Sequence, residues 1–171
     1  RKSGKRAIKL DKGDQLVGTI ITNGSADLMV VSDQGKAVYF NEKDARSMGR
    51  DTRGVKGITL EEDGKVISLL KPSAESEILT VSEKGYGKRS RVVDFRKTKR
   101  GAKGVIAMQT SSRNGNLISA KEVSSLDDVI LITNKGMLVR TKVSEISLIG
   151  RNTQGVRVIK LKEDEFLNGL A

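Results

Sequence analysis

The stretch Arg50-Asp51-Thr52-Arg53-Gly54-Val55-Lys56 returns further along as Arg151-Asn152-Thr153-Gln154-Gly155-Val156-Arg157. Between them, Lys97-Thr98-Lys99-Arg100-Gly101-Ala102-Lys103 has the same basic-loop character, and Gly4-Lys5-Arg6 offers a shorter fourth copy. Setting Gly4, Gly54, Gly101 and Gly155 in register places a cation two positions on each time: Arg6, Lys56, Lys103 and Arg157. An apolar run follows in each case, Ala7-Ile8, Ile58, Val105-Ile106 and Val158-Ile159. A second register, Gly35, Gly85 and Gly136, advances by 50 and then 51 residues. Self-similarity at this period marks a stacked or radial array of supersecondary units, in which one position of the unit recurs at equivalent places in space. A cation held at such a position becomes a row of cations, the footprint of a polyanion-binding surface.

The units read as β. Short β-branched runs recur at Leu28–Val31, Val66–Leu70, Ile78–Val81, Val129–Thr133, Met137–Val143 and Val156–Leu161. Turns of one type separate them, Asp33-Gln34-Gly35, Glu83-Lys84-Gly85 and Asn134-Lys135-Gly136, each with glycine third, where a hairpin needs a left-handed residue. Further polar turns fall at Asp11–Asp14, Glu61–Gly64 and Lys162–Glu165, and the single proline, Pro72, lies between two strands. The one helical pattern is Asn41–Met48, one or two turns capped by Asn41. One unit is therefore strand, glycine hairpin, strand, short crossing, Gly-basic loop, strand, polar turn, strand. The reading predicts one domain over 1–171 with a partial unit at 1–21, which matches the last two strands of a unit. Three complete units follow, at about 26–70, 76–123 and 126–170. Four strands per unit at this period is the arithmetic of propeller blades. No 3.6-residue periodicity supports an α-solenoid.

Composition bounds the chemistry. The 171 residues carry 32 Lys and Arg against 21 Asp and Glu, a net charge of +11, with no His, Cys or Trp. Disulfides, thiolate metal sites, cysteine nucleophiles and histidine bases are thereby excluded. No 18-residue apolar run or signal-like segment occurs, so the expectation is a soluble intracellular protein with no membrane partner. The start in mid-repeat without Met points to a piece of something longer. Between Lys84 and Lys103 nine cations face one acid, Asp94.

The candidate binding residues fall in two registers. Four and six residues after the hairpin glycine stand Tyr39 and Asn41, Arg89 and Arg91, and Arg140 and Lys142. Positions two apart share a strand face, so each basic pair is expected to point one way, with Tyr39 and Asn41 as the weak copy. The loop register supplies Arg50, Arg53, Lys56, Lys97, Lys99, Arg100, Lys103, Arg151 and Arg157, and Lys88 precedes Arg89 on its strand. A glycine in a basic loop lets backbone N–H groups approach phosphate while the cations neutralise it, and such contacts carry no sequence information. With two Tyr, three Phe and no Trp, stacking platforms for single strands are scarce, and no helix is long enough for a major groove. Duplex DNA, contacted through its backbone, is the expected partner. Gly85-Tyr86-Gly87-Lys88 lacks the spacing and helix of a nucleotide phosphate loop, and Asp127, Asp128, Asp164 and Glu165 read as turn residues, not a metal or acid–base set.

Gly150-Arg151-Asn152-Thr153-Gln154-Gly155-Val156, Gly85-Tyr86-Gly87-Lys88-Arg89, Val143-Ser144-Glu145-Ile146 and Arg46-Ser47-Met48-Gly49 together resemble the C-terminal domain of the A subunit of DNA gyrase, and the likeness covers essentially the whole chain. The resemblance implies a six-bladed β-pinwheel, a propeller-like disc whose blades exchange strands, with this chain spanning the end of the third blade through the sixth. It further implies a basic rim that binds and bends duplex DNA in support of ATP-dependent negative supercoiling. The implied assembly is an A2B2 complex in which the gyrase A subunit joins the ATPase partner, the gyrase B subunit, in the bacterial cytoplasm at the nucleoid. ATP and Mg are implied on other domains, and no catalytic residue, metal or cofactor in this stretch; neither Tyr39 nor Tyr86 corresponds to the cleaving tyrosine. The family's Gln-Arg-Arg-Gly-Gly-Lys-Gly box is absent, its nearest echoes being Arg53-Gly54-Val55-Lys56-Gly57 and Arg100-Gly101-Ala102-Lys103-Gly104. The first two blades and the acidic tail are absent too, so binding and bending are expected without the box that supports full wrapping. The alternatives are the topoisomerase IV A-subunit tail, against which the Gly150–Val156 string speaks, and a protein-binding β-propeller. A propeller of the second kind usually carries acidic or aromatic hot spots on its face, where this chain repeats cations on loops.

Overall fold

The computed structural model describes residues 3–171. Its strands, in chain order, are β1 (Asp27–Ser32), β2 (Lys36–Asn41), β3 (Val66–Leu70), β4 (Glu77–Ser82), β5 (Tyr86–Arg91), β6 (Val105–Ile106), β7 (Leu117–Val123), β8 (Asp128–Thr133), β9 (Leu138–Lys142), β10 (Val156–Arg157) and β11 (Leu167–Leu170). The Gly-third turns close three antiparallel hairpins, β1/β2, β4/β5 and β8/β9. Gly35, Gly85 and Gly136 sit at φ 78°, 82° and 79°, and their amides donate to the carbonyls of Ser32, Ser82 and Thr133. This is the left-handed conformation that is strained for an L side chain and open to glycine.

On its inner side each hairpin is extended by the last strand of its own unit: β3 beside β1, β7 beside β4, β11 beside β8. The outer side is completed by the next unit. β6 pairs with β2 through Lys36↔Ile106 and Ala37↔Val105, and β10 pairs with β5 through Tyr86↔Arg157 and Gly87↔Val156. The sheets are therefore β3-β1-β2-β6, β10-β5-β4-β7 and β11-β8-β9, two of four strands and one of three. The inner strand β7 packs between β3 and β11. This is an all-β, blade-like array with exchanged outer strands.

The exchange corrects the repeat register. Gly104 and Gly155 stand directly before the exchanged strands, at φ 80° and 75°. A Cβ on Gly104 would lie 2.5 Å from the Ala37 carbonyl oxygen; one on Gly155 would lie 2.9 Å from that of Gly87. The equivalent residue of the middle unit is thus Gly104, not Gly101, whose nearest neighbour in the same test is the Lys56 oxygen at 3.5 Å. Two positions on from Gly104 stands Ile106, so that register reads Arg6, Lys56, Ile106, Arg157 and loses its middle cation.

Because neighbouring sheets cover one another, central strands are buried on both faces. Met29, Val31, Ala37 and Tyr39 of the first sheet meet Ile78, Tyr86, Leu117 and Ala120 of the second, joined by Val92, Phe95 and Met108. Leu79, Val81 and Val123 on the opposite face meet Val129, Leu131, Val143 and Leu167 of the third. A smaller cluster, Val30, Val38, Phe40 and Ile58, closes the far face of the first sheet. The third sheet lacks such a neighbour, and Ile130 and Leu138 stay exposed.

Three local expectations change. Asn41–Met48 forms a single 3-10 turn at Glu42–Asp44, with the Asn41 side chain accepting from the Lys43 amide as foreseen. Residues 3–25 form no strand, because no hairpin lies beside them to complete a ladder. The strand expected over Val156–Leu161 stops at Arg157, since the amides of Val158 and Ile159 both turn onto the Gly85 carbonyl.

Gly104→Ala should lose the left-handed residue, at about 1–2 kcal/mol, and also collide with Ala37, so its loss should exceed that range. Gly54→Ala, at φ 84° but with nothing within 4 Å, should cost the conformational part alone. Urea denaturation of the two variants checks the order; equal losses would remove the close approach as a cause.

Candidate nucleic-acid interface

The Gly-basic loops are laid side by side by one backbone bond repeated three times. The amides of Lys9, Thr59 and Gln109 donate to the carbonyls of Thr52, Ala102 and Thr153, at 3.0, 2.9 and 2.9 Å. The donors advance by 50 and 50 residues and the acceptors by 50 and 51, so each loop rests on the chain that follows the loop before it. Further bonds bind the same seams: Gly101 N–H to the Gly57 oxygen, Thr59 Oγ1 to the Gly101 oxygen, and Gln109 Nε2 to Asn152 Oδ1. The loops thus form one row at the outer edge of the sheets.

Within that row one arginine position has a double duty. Arg100 donates from Nε to the Asp44 carbonyl at 2.7 Å and from Nη1 to the Lys56 carbonyl at 3.1 Å. Arg151, one unit later, donates to the carbonyls of Asp94 and Ile106 at 3.0 and 2.9 Å. Asp44 and Asp94 are equivalent residues of successive 3-10 turns, as are Lys56 and Ile106 of successive loops, so the staple repeats atom for atom. A guanidinium has five N–H groups and these bonds use two. Its anchors are carbonyls and not carboxylates, so the positive charge is fixed in place without being cancelled. Arg50 occupies the same position of the first loop and is exposed.

The remaining expected residues divide by environment. Lys56, Lys99 and Lys103 are exposed on the loops, with Arg91 and Lys142 at the exposed ends of β5 and β9. Arg53 pairs with Asp11 at 3.0 Å on open surface, a contact of little net worth that phosphate can displace. Lys97 pairs with Asp27 and lies over the Tyr39 ring, 5.6 Å from its centroid; its hydrogen bond to Asp27 raises its pKa. Arg140 pairs with Asp128. Arg157 donates from Nη2 to the Tyr86 hydroxyl at 3.1 Å.

Two expected contacts are overturned. Arg89 is 8 % exposed, donating to the Ile146 carbonyl at 2.7 Å and paired with Glu77 at 2.6 Å, so it braces the seam between the second and third sheets and does not share an open face with Arg91. Lys88 is fully buried, and its Nζ donates to Ser90 Oγ and to the carbonyls of Gly150 and Arg151, at 3.0, 2.9 and 2.6 Å. Burial, helped by the nearby charge of Arg151, lowers its pKa from 10.5 to about 7. Three acceptors for three N–H donors oppose that shift, because a neutral amine has one donor fewer. Lys88 therefore holds the Gly150–Gly155 loop from beneath. Asp128 also departs from expectation: it belongs to β8 and, like Asp27 and Glu77 in the earlier hairpins, supplies a carboxylate to a basic side chain.

The sequence matches the family model described as DNA gyrase C-terminal domain, beta-propeller, over residues 1–23, 26–73, 76–124 and 127–171. The chain belongs to that family. It is 47% identical over 170 residues to the DNA gyrase A subunit of Escherichia coli K12, covering 99% of this chain and 19% of the relative, and 48% identical to that of Pseudomonas aeruginosa. It thus spans about a fifth of the length of the relatives it matches. The solved gyrase A C-terminal domain superposes with a TM-score of 0.89 at 29% identity, over 99% of this chain and 58% of that one. The C-terminal domain of DNA topoisomerase IV gives 0.90 at 25% identity, over 96% and 52%. The backbone alone does not separate the two lineages; the curated relatives named above, matched over nearly the whole chain, are gyrase A subunits.

Membership in the gyrase family leaves the buried lysine to be explained physically. Unfolded Lys88 would keep a proton up to its ordinary value of 10.5, whereas the folded form releases it near 7. Between those values the unfolded chain binds more protons, so this group's contribution to stability rises with pH from about 7 toward 10.5; below 7 its full penalty is present. Lys88→Met should remove that rise and leave the Gly150 and Arg151 carbonyls unpaired, at about 1–3 kcal/mol each. Melting temperatures of the two proteins between about pH 6 and 9 check it: a constant difference would show that Lys88 does not titrate in this range.

Proposed function

We propose that this chain binds duplex DNA along the loop row without reading its sequence, and bends it, as part of the C-terminal domain of a DNA gyrase A subunit. The observation that carries this reading is the thrice-repeated backbone bond that sets the loops edge to edge, with Arg100 and Arg151 fixed on carbonyls and Arg50, Lys56, Lys99 and Lys103 exposed among them. Cations held in line and not cancelled by carboxylates suit a polyanion with one charge per ~1.7 Å of axis. Guanidiniums already immobilised lose little further freedom when a phosphate docks.

Other nucleic-acid modes fit less well. Tyr39, Tyr86, Phe40 and Phe95 are all buried, so only Phe166 among the aromatic side chains offers an exposed ring on which a base could stack. Among the described residues the longest helical element is one 3-10 turn, which enters no groove. Backbone contact remains, and it favours a bend because each further unit then reaches further phosphates. Smooth bending of a 20–30 bp site costs about 1–6 kcal/mol, within the reach of several charge contacts.

In this reading the partners are duplex DNA, the rest of the gyrase A subunit, and the gyrase B subunit in an A2B2 enzyme of the bacterial cytoplasm, located at the nucleoid. ATP and Mg serve on other domains, and this stretch supplies positioning and no catalytic group. No helix among the described residues is long and apolar enough to cross a membrane.

The test is end-to-end energy transfer on a labelled duplex of about 40 bp, titrated at two salt concentrations, since the expected bend energy is only a few kcal/mol. Transfer should rise on binding and fade at high salt; binding with unchanged transfer would keep the surface and reject the bend. Lys103→Ala should reduce the log–log salt slope by about 1 and weaken every duplex sequence alike. A slope equal to that of the unsubstituted chain would strike Lys103 from the contact set.

A further inference from the structure

Three turns close a cleft of about 340 Å³ at the hairpin end of the second sheet. Lys84, Arg113, Arg157, Lys160 and Lys162 line it around Tyr86. The one lining acid, Glu165, accepts from the Lys162 amide at 3.0 Å and is tied into its own turn. The two arginines are fixed on the phenol: Arg113 Nε and Arg157 Nη2 donate to the hydroxyl at 3.4 and 3.1 Å, and the guanidiniums lie 5.1 and 5.5 Å from the ring centroid. Lys84 is held by the Ser112 carbonyl at 2.5 Å. Among the described residues none of these five cations has a carboxylate within 4.0 Å.

The equivalent cleft one junction earlier, of about 320 Å³, shows that this is not a generic property of the fold. There Gln34 stands for Lys84, Lys36 for Tyr86, Ile106 for Arg157 and Gln109 for Lys160, with Glu61 added to the wall. The backbone repeats and the charge does not. Five cations converge at one junction, where the earlier one offers a lone lysine and a carboxylate.

We propose that this cleft is a phosphate-binding site that shares Arg157 with the loop row and extends it, taking one or two adjacent backbone phosphates of the duplex as it passes from the second sheet to the third. The assignment rests on the DNA reading above. Phosphate is favoured because guanidiniums bonded to a phenol oxygen keep their remaining N–H groups for a second acceptor, and that fork geometry matches phosphate oxygens. A nucleobase is disfavoured because two cations already lie over the Tyr86 ring. A backbone phosphate is favoured over a free anion because Arg157 lies on β10, the strand that follows the Gly150–Gly155 loop directly, so the cleft adjoins the loop row through that strand.

The two tyrosines supply the readout. Hydrogen bonds from Arg113 and then Arg157 lower the Tyr86 pKa, whereas burial raises that of Tyr39, so alkaline titration followed by phenolate absorbance should show two steps. A phosphate in the cleft disfavours the nearby phenolate and should move the earlier step upward. The experiment titrates the chain alone, with the same duplex and with pyrophosphate, and compares salt slopes for the unsubstituted chain and for Arg113→Gln/Lys160→Gln. The expected result is an upward shift with the duplex and a slope reduced by about 1–2 in the double variant, according to whether one or two phosphates are held. An unshifted step together with an unchanged slope overturns the site. A shift with pyrophosphate but an unchanged duplex slope overturns the backbone assignment and leaves a free-anion site. Failure of the unsubstituted chain to bind duplex at low salt overturns the DNA reading itself; a reduced slope for Lys103→Ala beside an unchanged slope for the double variant overturns the cleft alone.

Discussion

The outer edge of each hairpin is the constraint on which the rest depends. A strand paired on one side only presents a row of unused N–H and C=O groups, and here β2 and β5 are completed by two residues from the following unit. So short a ladder holds only if the incoming chain arrives close to the hairpin, and Gly104 and Gly155 permit that approach where a Cβ would strike a carbonyl oxygen. Once the exchanged strand is seated, the loop before it has no freedom to wander. Arg100 and Arg151 then reach back to the same pair of carbonyls in each junction. The row of cations follows from the way one sheet edge is closed.

The electrostatics divide along the same line. Where a cation is anchored by a carboxylate, as Arg89 is by Glu77, its charge is largely cancelled and its work is cohesion. Where the anchor is a carbonyl, as for Arg100 and Arg151, position is gained and the field survives. Lys88 has carbonyl anchors too but is buried beneath the loop that carries Arg151, where its charge is costly enough to bring its pKa down to about 7. Each of these two charges raises the electrostatic cost of the other. On the proposed reading, a phosphate above the loop would relieve that cost and tighten the seam between the second and third sheets.

Much of this was legible in the chain itself. Glycine third in Asp33-Gln34-Gly35 and its two copies announced the hairpins, since a left-handed third residue admits little else, and the family resemblance announced strand exchange. The choice of Gly104 over Gly101 was legible in the spacing, since Gly54, Gly104 and Gly155 keep the period of Gly35, Gly85 and Gly136 and Gly101 does not; the richer basic loop around Gly101 drew the register off it. The pairing of the following strand confirms Gly104. Lys88 and Arg89 were misplaced for another reason: alternation along a strand presumes one solvated face, and a sheet sandwiched between two neighbours has none. Arg140, equivalent to Arg89 but on the third sheet, is exposed as the alternation suggested. The Tyr86 cleft was not legible as a site, because only Arg157 of its five cations stands in the repeat register and the other four come from separate turns.

The contrast between the two clefts bears on which positions of such an array are free to carry contact chemistry. The features that recur from unit to unit are the hairpin glycine, the glycine before the exchanged strand, the stapling arginine and the backbone bond between loops. Loss of any of them would unseat a strand. The side chains that differ, Lys56 against Ile106 against Arg157 or Gln34 against Lys84, stand on a backbone that does not notice them. Cohesion is thus held constant from unit to unit while charge is not, and the contrast lies in the clefts: one lysine and one carboxylate line the first, five cations the second.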